Sequence, residues 1–155
     1  MESSDRELYE KYSADLIRYA TVLVGPDQAP DVVSTVVLRV LKRRSLGDLD
    51  DPKAYLFRSV LNECRSVGRR RKTRRVALGR FFEREAIEPV DSMVADRVSA
   101  AEAVWRLPPR HRSAAYLIYW LDLSIADAAR ILGVSAGTVK RYVHEVREQI
   151  RRDLS

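Results

Sequence analysis

The sequence is short of the residue types that build disulfides, metal centres and redox sites. Its 155 residues include one cysteine, Cys64, and two histidines, His111 and His144. A single cysteine cannot close an intramolecular disulfide, and with two separated histidines it falls short of a zinc-ligand set. Nothing implies an oxidising compartment or a structural metal, and Cys64 reads as a small core residue. Glycine-rich phosphate loops, internal repeats and low-complexity tracts are absent. No window reaches the roughly 18 uninterrupted apolar residues of a membrane span. The opening Met1-Glu-Ser-Ser-Asp-Arg-Glu7 is acidic and lacks the apolar core of a signal peptide. A soluble cytoplasmic chain with no membrane insertion is expected. No acid–base pair, nucleophile or metal cluster offers chemistry, so neither a catalytic residue nor a cofactor nor a small-molecule substrate is expected.

What the chain does have is charge and helical periodicity. Lys and Arg number 28 against 22 Asp and Glu, a formal net charge of +6, which favours a polyanionic partner. With 46% hydrophobic and 32% charged residues, the chain can build one modest domain or two small ones.

From Leu8 to Val24, Leu8, Tyr12, Leu16, Ile17, Ala20 and Leu23 recur at helical spacing, and Gly25-Pro26-Asp27 ends the segment. The following Asp31–Leu41 stretch is rich in β-branched residues and has strand propensity. Its apolar pairs Val32/Val33, Val36/Val37 and Val40/Leu41 nevertheless repeat every four residues, which predicts a helix with a buried seam. Asp50-Asp51-Pro52 supplies a capping carboxylate and a first-turn proline for a third helix, with Tyr55, Leu56, Val60, Leu61 and Cys64 expected inward. That helix runs into the block Arg69-Arg-Arg-Lys-Thr-Arg-Arg75. From Val76 to Val98 the pattern weakens, acids gather at Glu83, Glu85, Glu88, Asp91 and Asp96, and Pro89 interrupts. This reads as a linker holding one short helical piece at most. Helical patterning resumes from Ser99 to Leu107, breaks at Pro108-Pro109, and continues from Arg110 to Leu121.

The clearest local motif lies between Leu123 and Arg147. Ser124 can cap a short helix, with Asp127 three residues on and Ala128, Ile131 and Leu132 inward. Gly133 suits a left-handed turn, Val134 fills the angle, and Ser135 caps a second helix. This is a helix-turn-helix. In its second helix Val139, Val143, Val146 and Ile150 form the inward stripe, leaving Lys140, Arg141, Tyr142, His144 and Arg147 outward. Such a face fits a major groove, where Lys and Arg donate to guanine and phosphate and Tyr or His can bond or stack. A solvated cationic helix is the bland alternative. Glu145 would be repelled by phosphate, so either it meets a base donor such as cytosine or its edge of the helix leaves the groove.

The order of these features, a seam helix, a helix ending in a basic block, a linker, then Leu107-Pro-Pro-Arg before a helix-turn-helix, resembles the extracytoplasmic-function sigma factors. The resemblance implies an all-α fold of two small helical domains. A sigma-two-like domain at 1–75 would bind core polymerase and recognise and melt the minus-ten element. A linker at 76–98 would join it to a sigma-four-like domain at 99–155 that recognises the minus-thirty-five element. Core RNA polymerase and promoter DNA are the implied partners, with an anti-sigma factor as a further candidate.

Residue by residue, Ala29-Pro-Asp-Val-Val-Ser-Thr-Val-Val-Leu-Arg-Val-Leu-Lys42 resembles the helix that grips the polymerase clamp. Asp31, Ser34, Thr35, Leu38, Arg39 and Lys42 are the implied core contacts. The family usually has Gln and an acid where this chain has Ser34-Thr35, and tryptophan at Leu41. Asp51–Asn62 resembles the segment before the promoter-melting helix, with Tyr55 where tryptophan is common. The likeness places Asn62, Arg65 and Ser66 near a loop that captures a flipped base, and Arg69, Arg70, Arg71 and Lys72 on the strand's phosphates. Leu107-Pro-Pro-Arg-His-Arg and Gly137-Thr-Val-Lys resemble sigma-four motifs. They put Thr138 and Lys140 near phosphates and Arg141, Tyr142 and His144 near bases, with Ser135 and Arg147 completing the upstream set. The family often has Arg where Glu145 stands.

A fully extended Val76–Val98 segment reaches at most roughly 75 Å, about two duplex turns of roughly 34 Å, so two elements of one promoter are within its span. Two other readings stand beside this one. An autonomous regulator with a LuxR-like helix-turn-helix would bind an operator without serving polymerase, and a helical adaptor or anti-sigma-binding decoy would do neither.

Overall fold

The computed structural model describes residues 3–78 and 100–154. All regular elements in these residues are helices. They are α1 (Ser3–Val24), α2 (Ala29–Leu41), α3 (Pro52–Leu78), α4 (Ala100–Arg106), α5 (Pro109–Ala115), α6 (Ile125–Leu132) and α7 (Ala136–Leu154). A 3-10 turn at Leu46–Asp48 precedes α3, and a π-helical turn at Tyr116–Trp120 follows α5. Among the described residues no helix is long and apolar enough to cross a membrane.

The valine-rich segment is helical, as its four-residue period predicts. Val32, Val33, Val36, Val37 and Val40 are all buried. Burying a valine gains about 1.5 kcal/mol or more, whereas its helix-propensity cost is at most about 0.7 kcal/mol, so packing decides the conformation. Asp51 opens α3 as expected, its Oδ1 accepting from the Ala54 amide at 3.1 Å. Leu56, Phe57, Val60, Leu61 and Cys64 face inward. Tyr55 does not. It is 43% exposed, one position off the buried stripe, and its ring lies 6.0 Å from the Arg44 guanidinium. Burial pushes the Cys64 thiol up to about 12, so it stays protonated and inert at neutral pH. Helix α3 continues past the basic block to Leu78, three residues beyond the expected edge of the linker. The expectation of a linker with one short helical piece over 79–98 lies outside the described residues.

One buried carboxylate ties the start of α1 to the connection between α2 and α3. Asp5, at the start of α1, accepts from the Ser45 hydroxyl at 2.6 Å and the Leu46 amide at 2.7 Å. This fixes the 42–51 connection against α1.

The helices before and after the undescribed stretch share one hydrophobic core. α3 packs on α6, and α1 packs on α5. At the seam the Tyr19 hydroxyl is hydrogen-bonded to Ser113, both residues being fully buried. The Tyr19 ring contacts Phe57 of α3 at 5.2 Å and Tyr116 of the π turn at 5.8 Å. Arg112 donates to the Trp105 carbonyl at 3.0 Å and the Leu23 carbonyl at 3.3 Å, with its guanidinium 4.8 Å from the Trp105 ring. One cation thus joins α4 and α5 to the C-terminal end of α1, where carbonyls left over from the helix need donors.

Removing that cation should expose the cost. Arg112→Ala is expected to lower unfolding free energy by about 3 kcal/mol, the range for losing charged hydrogen bonds at a buried site. Urea unfolding of both chains measures it, and a change below about 0.5 kcal/mol would show the seam to be indifferent to Arg112.

Candidate nucleic-acid interface

The second half builds a helix-turn-helix from three local devices. Ser124 caps α6 by accepting from the Asp127 amide at 3.0 Å. Asp127 also pairs with Arg130, which holds its carboxyl below the ordinary range. Gly133 ends α6 at φ 69°, in the left-handed region, and its amide donates to the Ala129 carbonyl at 2.8 Å. Ser135 starts α7 by accepting from the Thr138 amide at 3.1 Å, and the two hydroxyls lie 2.9 Å apart. Thr138, implied as a phosphate neighbour, and Ser135, implied as a member of the upstream set, are therefore engaged first with each other.

Val139, Val143 and Val146 of α7 are buried as expected, and Ile150 is half-buried. Lys140, Arg141, His144, Glu145 and Arg147 are exposed. Tyr142 departs from the expected outward face. It is 5% exposed, and its ring lies 4.7 Å from His111 on α5. Position 142 lies three residues from Val139 and four from Val146, so it extends the apolar stripe on the flank that α5 covers. Arg147 is held from the side, its Nε donating to the Tyr119 hydroxyl at 2.7 Å.

A second cationic surface runs along α3. Ser66, Arg69, Arg70, Thr73 and Arg74 border one shallow groove, and Asn62, Arg71 and Lys72 are exposed. Arg69 donates to Ser66 at 3.0 Å. Asn62, Arg65 and Ser66 sit within the unbroken helix α3. The 42–51 connection, with its 3-10 turn, precedes α3, and there Arg44 meets Tyr55. A helix whose apolar stripe continues through Val67 has no reason to break earlier.

A third surface is the outer face of α2. Asp31, Ser34, Thr35, Leu38, Arg39 and Lys42 are all exposed, and Leu38 shows 59% of its surface. The side chain that joins this face to the basic groove is Glu63, which sequence reasoning passed over. It is buried, and its carboxylate receives Arg39 of α2 and Arg70 of α3, each at 3.4 Å. A glutamate inside the apolar run Val60-Leu61-Asn62-Glu63-Cys64 was the available signal. Among the described residues no group of three or more potential metal ligands occurs.

Two family models cover most of the chain: sigma-70 region 2 matches residues 8–76, and sigma-70 region 4 matches 97–150. An RNA polymerase sigma-E factor from Streptomyces coelicolor is 31% identical over 141 residues, covering 90% of this chain and 79% of that protein. The chain belongs to the extracytoplasmic-function sigma factors of the sigma-70 family. An extracytoplasmic-function sigma factor named SigL from Mycobacterium tuberculosis is 32% identical over 146 residues, 90% of this sigma factor and 82% of the relative. The fold matches, at a TM-score of 0.70 and 23% identity, a sigma factor RpoE from Bartonella quintana solved with the anti-sigma factor NepR. That match covers 97% of this sigma factor and 96% of the RpoE chain. The all-α, two-domain expectation and the sigma factor function hold, and these matches give the LuxR-like alternative no support. Sigma factors are transcription initiation factors.

The turn of the helix-turn-helix makes its own demand. Gly133→Ala of this sigma factor should destabilise it by about 1–2 kcal/mol, because a Cβ is strained at that backbone angle wherever it points. Chemical denaturation checks this, and an unchanged midpoint would contradict it.

Proposed function

We propose that this sigma factor binds core RNA polymerase through the outer face of α2, holds a melted minus-ten strand along α3, and reads minus-thirty-five duplex with α7. In this reading 1–75 is the sigma-two-like module, 76–98 the linker and 99–155 the sigma-four-like module. Polymerase supplies the catalytic chemistry; the chain itself works in the cytoplasm as a specificity subunit and not as an enzyme. The carrying observation is that one helical chain of this family presents two separate exposed cationic faces, on α3 and on α7.

Each face suits its assigned form of DNA. Lys140, Arg141 and His144 project from the first turns of α7, the part of a recognition helix that meets base edges. The α3 groove offers closely spaced guanidiniums and no deep pocket, which suits phosphate contact more than base readout. Tyr55, exposed at the 42–51 loop, is the aromatic best placed to stack on an unpaired base. Tyr142 drops out of the upstream set because it is buried. The relative solved with NepR supports an anti-sigma factor as an additional partner.

Reconstitution with core polymerase on a promoter library tests the function directly. Specific initiation dependent on the chain is expected. No association with core under any condition would overturn the assignment. The α3 role has its own readout: replacing Arg69, Arg70 and Arg71 with Gln should reduce the slope of log affinity against log salt by about 2, at roughly 0.7 per single-strand phosphate contact. An unaltered slope would remove these residues from the interface.

A further inference from the structure

Glu145 occupies an awkward place. One turn after Arg141 on α7, it stands on the same line of the helix, and a carboxylate on that line faces incoming phosphates unfavourably. The structure shows where the carboxylate goes. One oxygen is hydrogen-bonded to His111 Nε2, and the other lies 3.7 Å from Arg141 Nε. His111 belongs to α5, which packs along α7. Its ring lies against the buried Tyr142. Its Nδ1 has no hydrogen-bond partner, and Glu145, held below the ordinary carboxylate range by His111 first of all, can only accept. The Nε2 proton therefore points at Glu145.

We propose that His111 is a positioning residue for promoter reading: it pins one oxygen of the Glu145 carboxylate to α5, so that the acid, which also lies 3.7 Å from Arg141, is kept from turning toward incoming phosphates. This rests on the assignment of α7 as the duplex-reading helix. It accounts for three observations together. Tyr142, buried on the flank that α5 covers, supplies the ring against which His111 rests. Glu145 is tolerated on a basic face because its charge is drawn to α5. Arg141 keeps its guanidinium along the helix surface, where the same carboxylate orients it and can release it to a base. The cytosine-reading alternative for Glu145 requires the carboxylate to leave His111, losing a charged hydrogen bond before gaining another. Specificity at the position facing residue 145 is then set by exclusion, and an Arg placed there would add a phosphate or guanine contact that this protein lacks.

The test uses the full-length chain assembled with core polymerase, on a promoter selected from a random library, reading affinity by competition. His111→Ala should weaken promoter binding about fivefold, the scale of one unit charge about 4 Å from another in water. Glu145→Gln alone should bind at least as well as wild type. The deciding comparison is H111A against H111A/E145Q, which share the lost ring contact with Tyr142 and differ only in the released charge. Recovery of binding in the double variant supports the pin. Equal weakness of H111A and H111A/E145Q overturns it and leaves His111 a packing residue. So does an unweakened H111A, provided Arg141→Ala weakens binding. Silence of Arg141→Ala together with H111A instead sinks the assignment of α7 itself, and the pin with it.

Discussion

The hydroxyl of Tyr19 is buried completely, and a buried hydroxyl must be paired or it costs the free energy of its lost hydration. Its partner, Ser113, comes from the other half of the chain. Arg112 beside it is under the same constraint and meets it in part: its two terminal nitrogens donate to carbonyls from both halves, while its buried Nε has no hydrogen-bond partner. These paired groups sit inside the apolar contact that Tyr19 makes with Phe57 and Tyr116. Each half of the chain by itself falls in the size range where a core is marginal. Joined through Tyr19, they bury one continuous set of side chains, and the orientation of α5 and everything carried on it is fixed relative to α1.

That fixed α5 is what shapes the exposed face of α7. α7 lies along α5, and Tyr142 and His111 fill the space between them. Which residues of α7 face solvent is therefore decided by the position of a helix whose own position is decided at the seam. A chain of packing constraints runs from Tyr19 to the face that carries Lys140, Arg141 and His144. Each link is a contact between close-packed groups, where small volume changes are felt.

The helices themselves were legible from period, caps and turn residues. Ser124, Gly133, Ser135 and Asp51 each do what their residue type does locally, and local devices can be read from local sequence. The valine-rich α2 was legible because its period outweighed its propensity. What was hidden was whatever depends on neighbours distant in the chain. Tyr19 meets Ser113 across a separation of 94 residues, and Arg112 meets Leu23 across 89. Tyr142 was misplaced for the same reason: an aromatic at the border of an amphipathic stripe goes in or out according to which side the next helix covers. Tyr55 erred in the opposite direction, since a stripe drawn from Leu56, Val60 and Cys64 leaves one flank of its first turn free for Arg44.

The basic block of α3 illustrates why counting charges is a poor guide to a nucleic-acid surface. Read from the sequence, Arg69 to Arg75 is a run of nearly equivalent cations. In the structure Arg69 is drawn to Ser66 and Arg70 to Glu63, while Arg71 and Lys72 project outward. Glu63 is the influential member although it contributes the opposite sign. Its carboxylate is buried while both of its partners, Arg39 and Arg70, are largely exposed, so they are the groups that compensate its charge at the surface. One lies on the surface assigned to polymerase and the other on the surface assigned to the strand. The two surfaces thus share an anion, and the geometry of either arginine is referred to a group inside the core. Side chains already oriented in this way lose less entropy on binding a partner than freely solvated ones.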